Sequence, residues 1–261
     1  MSLVDVRTRE GIRVITINRP DAHNSLNRDL RLELKDAFAA AAAESSSEGP
    51  VRVVVLRASG AVFCSGQDLK EQLEETRKGT DTDKVVTEYN PMMDALLSIP
   101  VPVIAAVQGA AAGAGWGIAM ACDFRVAATT AAFKGAFSGV GLASDCGLSR
   151  SLADTVGQTK ALELLLLDER VSAAAAGALG IVTSVVDPEA LDNEVQELAR
   201  RFATGPTASY REIKALVRDT AAVTARAGEE ADAQRRLFQT ADHAEAIQAF
   251  LEKRAPQFRG V

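Results

Sequence analysis

Short runs of β-branched and apolar residues recur through the first half of the chain, each separated from the next by a stretch that suits a helix. This alternation restricts the fold more than any other feature. "VRVVVL" at residues 51–56, then residues 103–107 and 124–127, are short runs dominated by β-branched and apolar residues, broken only by Arg52 and Arg125, as buried strands are. Residues 28–43, 84–97 and 158–166 are long, Ala/Leu-rich and helix-compatible, so the strands can be joined by parallel crossovers. "VDVRT" and "RVITIN" flank Glu10-Gly11 like the arms of a hairpin. From Pro188 onward no strand pattern remains, and three helical stretches (189–203, 207–223 and 227–254) run to the end. The expectation is an α/β core followed by a helical C-terminal lobe. With 261 residues and 47% hydrophobic content, one large domain, or one with a small appendage, can bury a full core.

"GAAAGAGWG", residues 109–117, lies between a strand-like run and an apolar run at 118–122 that reads as a helix. A dinucleotide fingerprint would need a third glycine where Ile118 stands, and Asp123 comes too early for a ribose contact. A P-loop would need Gly-Lys-Ser/Thr, and Gly115 is followed by Trp116. Two readings remain: tight strand-to-helix packing, or a helix start whose unpaired N–H groups bind a developing negative oxygen.

The net charge of -6 contains no block of like charges, which gives no pull toward nucleic acid or an anionic membrane. No stretch approaches 18 uninterrupted apolar residues and the first ten residues carry no signal-peptide core, so a cytoplasmic protein without membrane partners is expected. Three cysteines, Cys64, Cys122 and Cys146, and two histidines, His23 and His243, suggest neither a disulfide framework nor a metal site.

A second turn, "VFCSGQDLKE" at residues 62–71, again follows a strand and bends at a glycine, Gly66, before a polar helix start at Asp68. Two such turns can offer two N–H groups to one oxygen. "NRPDAHNSLN", "FCSGQDLKE", "AVQGAAAGAG" followed by "ACDFRVA", and "FLEKRAPQFRG" together resemble the crotonase (enoyl-CoA hydratase/isomerase) superfamily, and the resemblance covers essentially the whole chain. It implies a spiral of β-β-α units over residues 1–190 and a helical trimerisation lobe over 191–261. It implies an acyl-CoA thioester as substrate, with coenzyme A belonging to the substrate rather than acting as a separate cofactor, and a homotrimer or dimer of trimers. It also implies that the N–H groups of Gln67 and Ala114 form the oxyanion hole, with Leu26, Cys64, Gly66, Asp68 and Leu69 along the CoA-binding edge. Removing a proton alpha to a thioester creates an enolate that two such donors stabilise.

The family's hydratases use two glutamates, whose positions here hold Gly117 and Phe137. Neither side chain can transfer a proton. Asp145, in "FSGVGLASDCGLS", stands where a subset of the family places its only acid. With "GQDL", "YNP" at 89–91 and the "PQF" ending, it resembles the epoxyphenylacetyl-CoA isomerases of aerobic phenylacetate breakdown. Ser144 and "CGLS" depart from that pattern, where a proline and a Gly-Gly-Thr run are usual. A lone carboxylate suits isomerisation, taking a proton from one carbon and returning it to another. Read without the resemblance, Asp145 is an N-cap for the following helix. Residual hydratase activity and a non-catalytic acyl-CoA-binding role are the alternatives.

Cys64 and Cys146 read as small packing residues rather than nucleophiles, Trp116 as acyl-pocket wall or core, His23 as part of a surface turn, and Asp68 as a helix cap. Arg19, Lys70, Lys253 and Arg254 are the candidates for meeting the CoA phosphates.

Overall fold

A computed structural model describes residues 2–46, 49–78 and 83–261, the side chains of 76–78 excepted. The chain begins with β1 (Val4–Arg9) and β2 (Ile12–Ile17), paired antiparallel with Arg9 opposite Ile12. Glu10 and Gly11 both take left-handed φ, 53° and 81°, the geometry that matches a two-residue turn to strand twist. Helix α1 (Arg28–Glu44) follows, capped by the Asn27 side chain, which accepts the Leu30 N–H. Then come β3 (Val53–Ala58), α2 (Leu69–Lys78), a π-type turn at Val85–Tyr89, α3 (Asn90–Leu97) and β4 (Val103–Val107).

Strands β2, β3 and β4 pair in parallel. Next are β5 (Ala110–Ala112), α4 (Ala114–Ala121), β6 (Phe124–Ala128), β7 (Ala132–Lys134), α5 (Leu148–Val156), α6 (Gln158–Leu166), β8 (Val171–Ser172), α7 (Ala173–Ala178) and β9 (Ser184–Val186). The main sheet runs β1-β2-β3-β4-β6-β9, and a smaller sheet runs β5-β7-β8.

The chain closes with α8 (Leu191–Ala203), α9 (Thr207–Val217), α10 (Thr220–Leu237) and α11 (Ala241–Glu252). Four helices therefore stand where sequence periodicity gives three stretches. Two capping side chains cut the pattern: Asp219 accepts the Ala222 N–H, and Thr240 accepts that of His243. Strands β5, β7, β8 and β9 are two or three residues each, too short for a period to show. Helix α4 starts at Ala114, not at Ile118, because tertiary packing overrides the low helix propensity of its glycines.

One face of the main sheet carries the larger core, in which Leu30, Leu34 and Phe38 of α1 meet Val54 and Leu56 of β3 and Trp116 of α4. The other face is closed by Leu191, Val195 and Ala199 of α8 against Val53, Val55 and Ile104. Residue 190 thus falls immediately before a helix that completes the sheet's packing. Trp116 is fully buried with its ring centroid 5.9 Å from that of Phe133, which makes it core rather than pocket wall.

Candidate active site

The two glycine turns lie against each other because backbone bonds stitch their segments side by side. The Leu26 N–H donates to Gly66 O at 2.8 Å, and the Ala112 N–H donates to Cys64 O at 2.9 Å. Gly66 has φ 87°, and a Cβ there would fall 2.8 Å from Ala112 O and 3.6 Å from Ala114 N. A Cβ on Gly115 would lie 2.3 Å from Cys64 O. Bare backbone is therefore a packing requirement at both turns.

The same packing serves the chemistry of the site. Gln67 precedes α2 and Ala114 is the first residue of α4, where N–H groups lack helical acceptors. Among the described residues, neither N–H has a hydrogen-bond partner. Both residues line one cleft of ≈ 760 Å³ together with Asp145. The Gln67 side chain is turned aside, donating through Nε2 to Gln72 Oε1.

Asp145 is 4% exposed and its Oδ1 has no partner among the described residues. Burial, then the nearby Glu230 charge, pushes its carboxyl up to about 7, partly offset by a hydrogen bond with the Cys146 thiol. Asp145 does not cap α5. Glu230 of α10 does so instead, accepting from the Gly147 N–H at 2.7 Å, the Ser149 N–H at 2.9 Å and its Oγ at 2.5 Å, and Ser144 Oγ at 2.9 Å. The N-cap alternative for Asp145 is thereby removed.

The remaining sequence-derived residues divide between cleft and support. Gly66, Asp68 and Leu69 line the cleft, whereas Leu26 and Cys64 are fully buried behind it. Asp68 caps α2 through Lys70 N–H and Glu71 N–H and pairs with Arg19 at 2.5 Å. Against the upward push of burial, those partners hold its carboxyl below the ordinary value. Burial pushes the Cys64 thiol up to about 12 and that of Cys146 well above its ordinary value, so both are inert packing groups.

His23 is exposed on the turn after Pro20–Ala22. Of the basic candidates, Arg19 and Lys70 line the cleft. Arg254, just past the end of α11, instead pairs with Glu245 and Glu252 of that helix, and Lys253 is exposed.

Gly117 and Phe137 explain structurally why two side chains cannot serve as the hydratase acids. A Cβ at Gly117 would fall 2.6 Å from Cys146 Cβ, and Phe137 places an aromatic ring in the cleft wall.

Sequence reasoning missed three contributions. Glu230 and Gln234 reach the site from α10, and nothing in their local pattern distinguishes them from a solvated helix face. His243 of α11 lines the cleft, with Nδ1 2.8 Å from Val140 O. Arg31 is wholly buried beneath the first turn, donating to Leu26 O at 2.6 Å and to Glu71 at 2.7 Å, with its guanidinium 4.9 Å from the Tyr89 ring centroid. A charge on the inner face of α1, opposite the acidic α2, is the signal that could have found it.

Two free N–H groups beside a buried, protonatable carboxyl in a mainly apolar cleft can polarise a carbonyl and move a proton next to it. That is the chemistry of a family of acyl-thioester enzymes. The chain matches the enoyl-CoA hydratase/isomerase model over residues 7–261 and belongs to that family. It is 36% identical to 1,2-epoxyphenylacetyl-CoA isomerase of Escherichia coli, covering 100% of this chain and 99% of that protein. It is 39% identical to a probable enoyl-CoA hydratase of Rhodobacter capsulatus, covering 96% and 95%. The crystal structure of an enoyl-CoA hydratase/isomerase from Pseudoalteromonas atlantica superimposes with a TM-score of 0.87 at 30% identity, covering 98% of this chain and 100% of that one. The fold is accordingly the crotonase fold.

Proposed function

We propose that the protein is an acyl-CoA isomerase in which Asp145 is the sole proton-transfer group. In this reading the thioester carbonyl oxygen sits between the N–H groups of Gln67 and Ala114. Asp145, as carboxylate, removes a proton from a carbon conjugated to that carbonyl, and negative charge moves onto the oxygen as the enolate forms. The same carboxyl then returns the proton to another carbon, which shifts a double bond with no net gain or loss of atoms. An epoxide at the carbons beta and gamma to the thioester would open along the same enolate, the Cβ–O bond breaking as the Cα–Cβ double bond forms, and the name of the Escherichia coli relative supports including that substrate class.

The observation that carries the reading is the unpartnered Oδ1 of Asp145, buried in the cleft that holds both free N–H groups. A carboxyl needed only for folding would have its acceptors satisfied. A hydratase would need a second acid, and the positions that could supply it hold Gly117 and Phe137. A homotrimer or dimer of trimers accords with the exposed Leu216 and Val217 on α9 and Leu166 and Leu167 at the C-terminal end of α6. Sedimentation velocity tests that assembly.

The activity is tested by mass-resolved assay against enoyl- and aryl-acyl-CoA thioesters in deuterated water. Isomerisation exchanges carbon-bound protons and leaves the composition unchanged, whereas hydration adds one water. Product carrying an added water would return the assignment to a hydratase.

A further inference from the structure

The cleft that holds Asp145 is also lined by two polar side chains that proton transfer does not use, Gln234 and His243. Both are tied to the segment 140–143, and both ties have the same consequence. Gln234 Nε2 donates to Ala143 O at 2.6 Å. A carbonyl can only accept, so the amide orientation is fixed with Oε1 on the other side. Gln234 is 3% exposed and its Oε1 has no partner among the described residues.

His243 Nδ1 lies 2.8 Å from Val140 O, so Nδ1 carries the proton and the neutral ring's Nε2 is an acceptor. Burial holds the imidazole below its ordinary value, which keeps it in that form at neutral pH. The Phe238 ring meets His243 edge-on at 4.9 Å and fixes its plane. Two acceptors, both oriented by backbone carbonyls of one loop, thus stand in a cleft whose lining also includes the apolar Phe137, Val140, Leu142 and Ile247.

From this pairing we infer that Gln234 and His243 form a recognition site for a hydrogen-bond donor on the acyl group, so that the preferred thioesters carry a hydroxyl rather than a plain hydrocarbon chain. This rests on the thioester reading above and narrows its substrate class. An unpaired buried acceptor is costly, and a hydroxyl supplies the missing proton. An unsubstituted acyl group leaves both acceptors dry and unpaired. A methyl ether adds only further lone pairs, and discriminating against it needs no additional contact.

The test is calorimetric binding of phenylacetyl-CoA, its three ring-hydroxylated isomers and the matching methoxy compounds to the intact protein, repeated with Gln234→Met. Methionine keeps length and volume without the acceptor. At least one hydroxyl isomer should bind about ten- to a hundredfold more tightly than the parent thioester, with the methoxy compound no better than the parent. Gln234→Met should remove most of that preference, read as the ratio of hydroxyl-isomer to phenylacetyl-CoA affinity within the variant.

Equal affinities across the series would overturn the inference. So would a uniform loss in Gln234→Met for every thioester and for free coenzyme A, since the donor would then be the pantetheine arm. If the variant unfolds, His243→Phe measured on the same series provides the same comparison. Failure of the isomerase reading would appear separately, as absent deuterium exchange in a protein whose hydroxyl preference is intact.

Discussion

The carboxylate of Glu230 accepts the Gly147 N–H at 2.7 Å across 83 positions of sequence, and so performs the helix-capping task that would otherwise fall to Asp145. This leaves Asp145 buried, unpaired on one oxygen and close to a second negative group. One side chain from α10 therefore both shapes the loop at 144–149 and sets the electrostatic surroundings of the proposed acid.

Asp145→Asn should keep the fold and thioester binding while abolishing exchange of substrate protons with solvent deuterium, read by NMR. The carboxyl stands near 7 rather than 3.8. The folded protein thus holds this proton more tightly than the unfolded chain. The associated stability is complete below about pH 4 and is lost as pH rises through 7. Asparagine avoids that loss, so the variant should melt higher than the parent at pH 8, by an amount bounded at about 4 kcal/mol. As the base must be ionised, the parent's rate should fall about tenfold per unit below pH 7. A variant that exchanges protons like the parent would refute the catalytic role.

Glu230→Gln should move that acid limb to lower pH, because the negative charge that helps raise the Asp145 carboxyl is gone. An amide also cannot accept at both oxygens, so one of its four donors loses its partner, at about 1–3 kcal/mol. The pH–rate profile separates the two effects, since a purely structural defect lowers the melting temperature without shifting the limb.

Ala114→Pro removes one proposed oxyanion donor at the first position of α4, where proline is best tolerated in a helix. Turnover should drop about 100- to 1000-fold with a folded protein by circular dichroism. Undiminished turnover in a folded variant would show that this N–H does not meet the carbonyl.

Gly117→Ala should destabilise the protein by about 1–3 kcal/mol despite alanine's better helix propensity, because the added methyl meets Cys146 Cβ at 2.6 Å. Cys146 has φ 58°, so Cys146→Gly relieves both the collision and backbone strain. The double variant should recover most of the lost stability in urea titration. Gly117→Glu alone should not gain water addition, because the loop that carries Asp145 occupies the space a glutamate needs.

The hairpin at Glu10-Gly11, the buried strands β2, β3, β4 and β6, and the crossover helix α1 were legible in the sequence because each follows from local periodicity and turn chemistry. So were the two glycine turns and the presence of one acid in the facing loop. Short strands such as β5 and β7 were not, since three residues define no period and these strands exist only by pairing with each other.

The sequence by itself left Asp145 open between helix cap and acid; the position of Glu230, far along the chain, decided between them. The acceptor orientation of Gln234 and His243 likewise exists only once α10 and α11 close over segment 140–143, where two backbone carbonyls fix a side-chain amide and an imidazole. Hydrophobic spacing is a local property and can be read along the chain. Satisfaction of buried polar groups is long-range and carries no period, so tertiary packing alone determined which of them are left free.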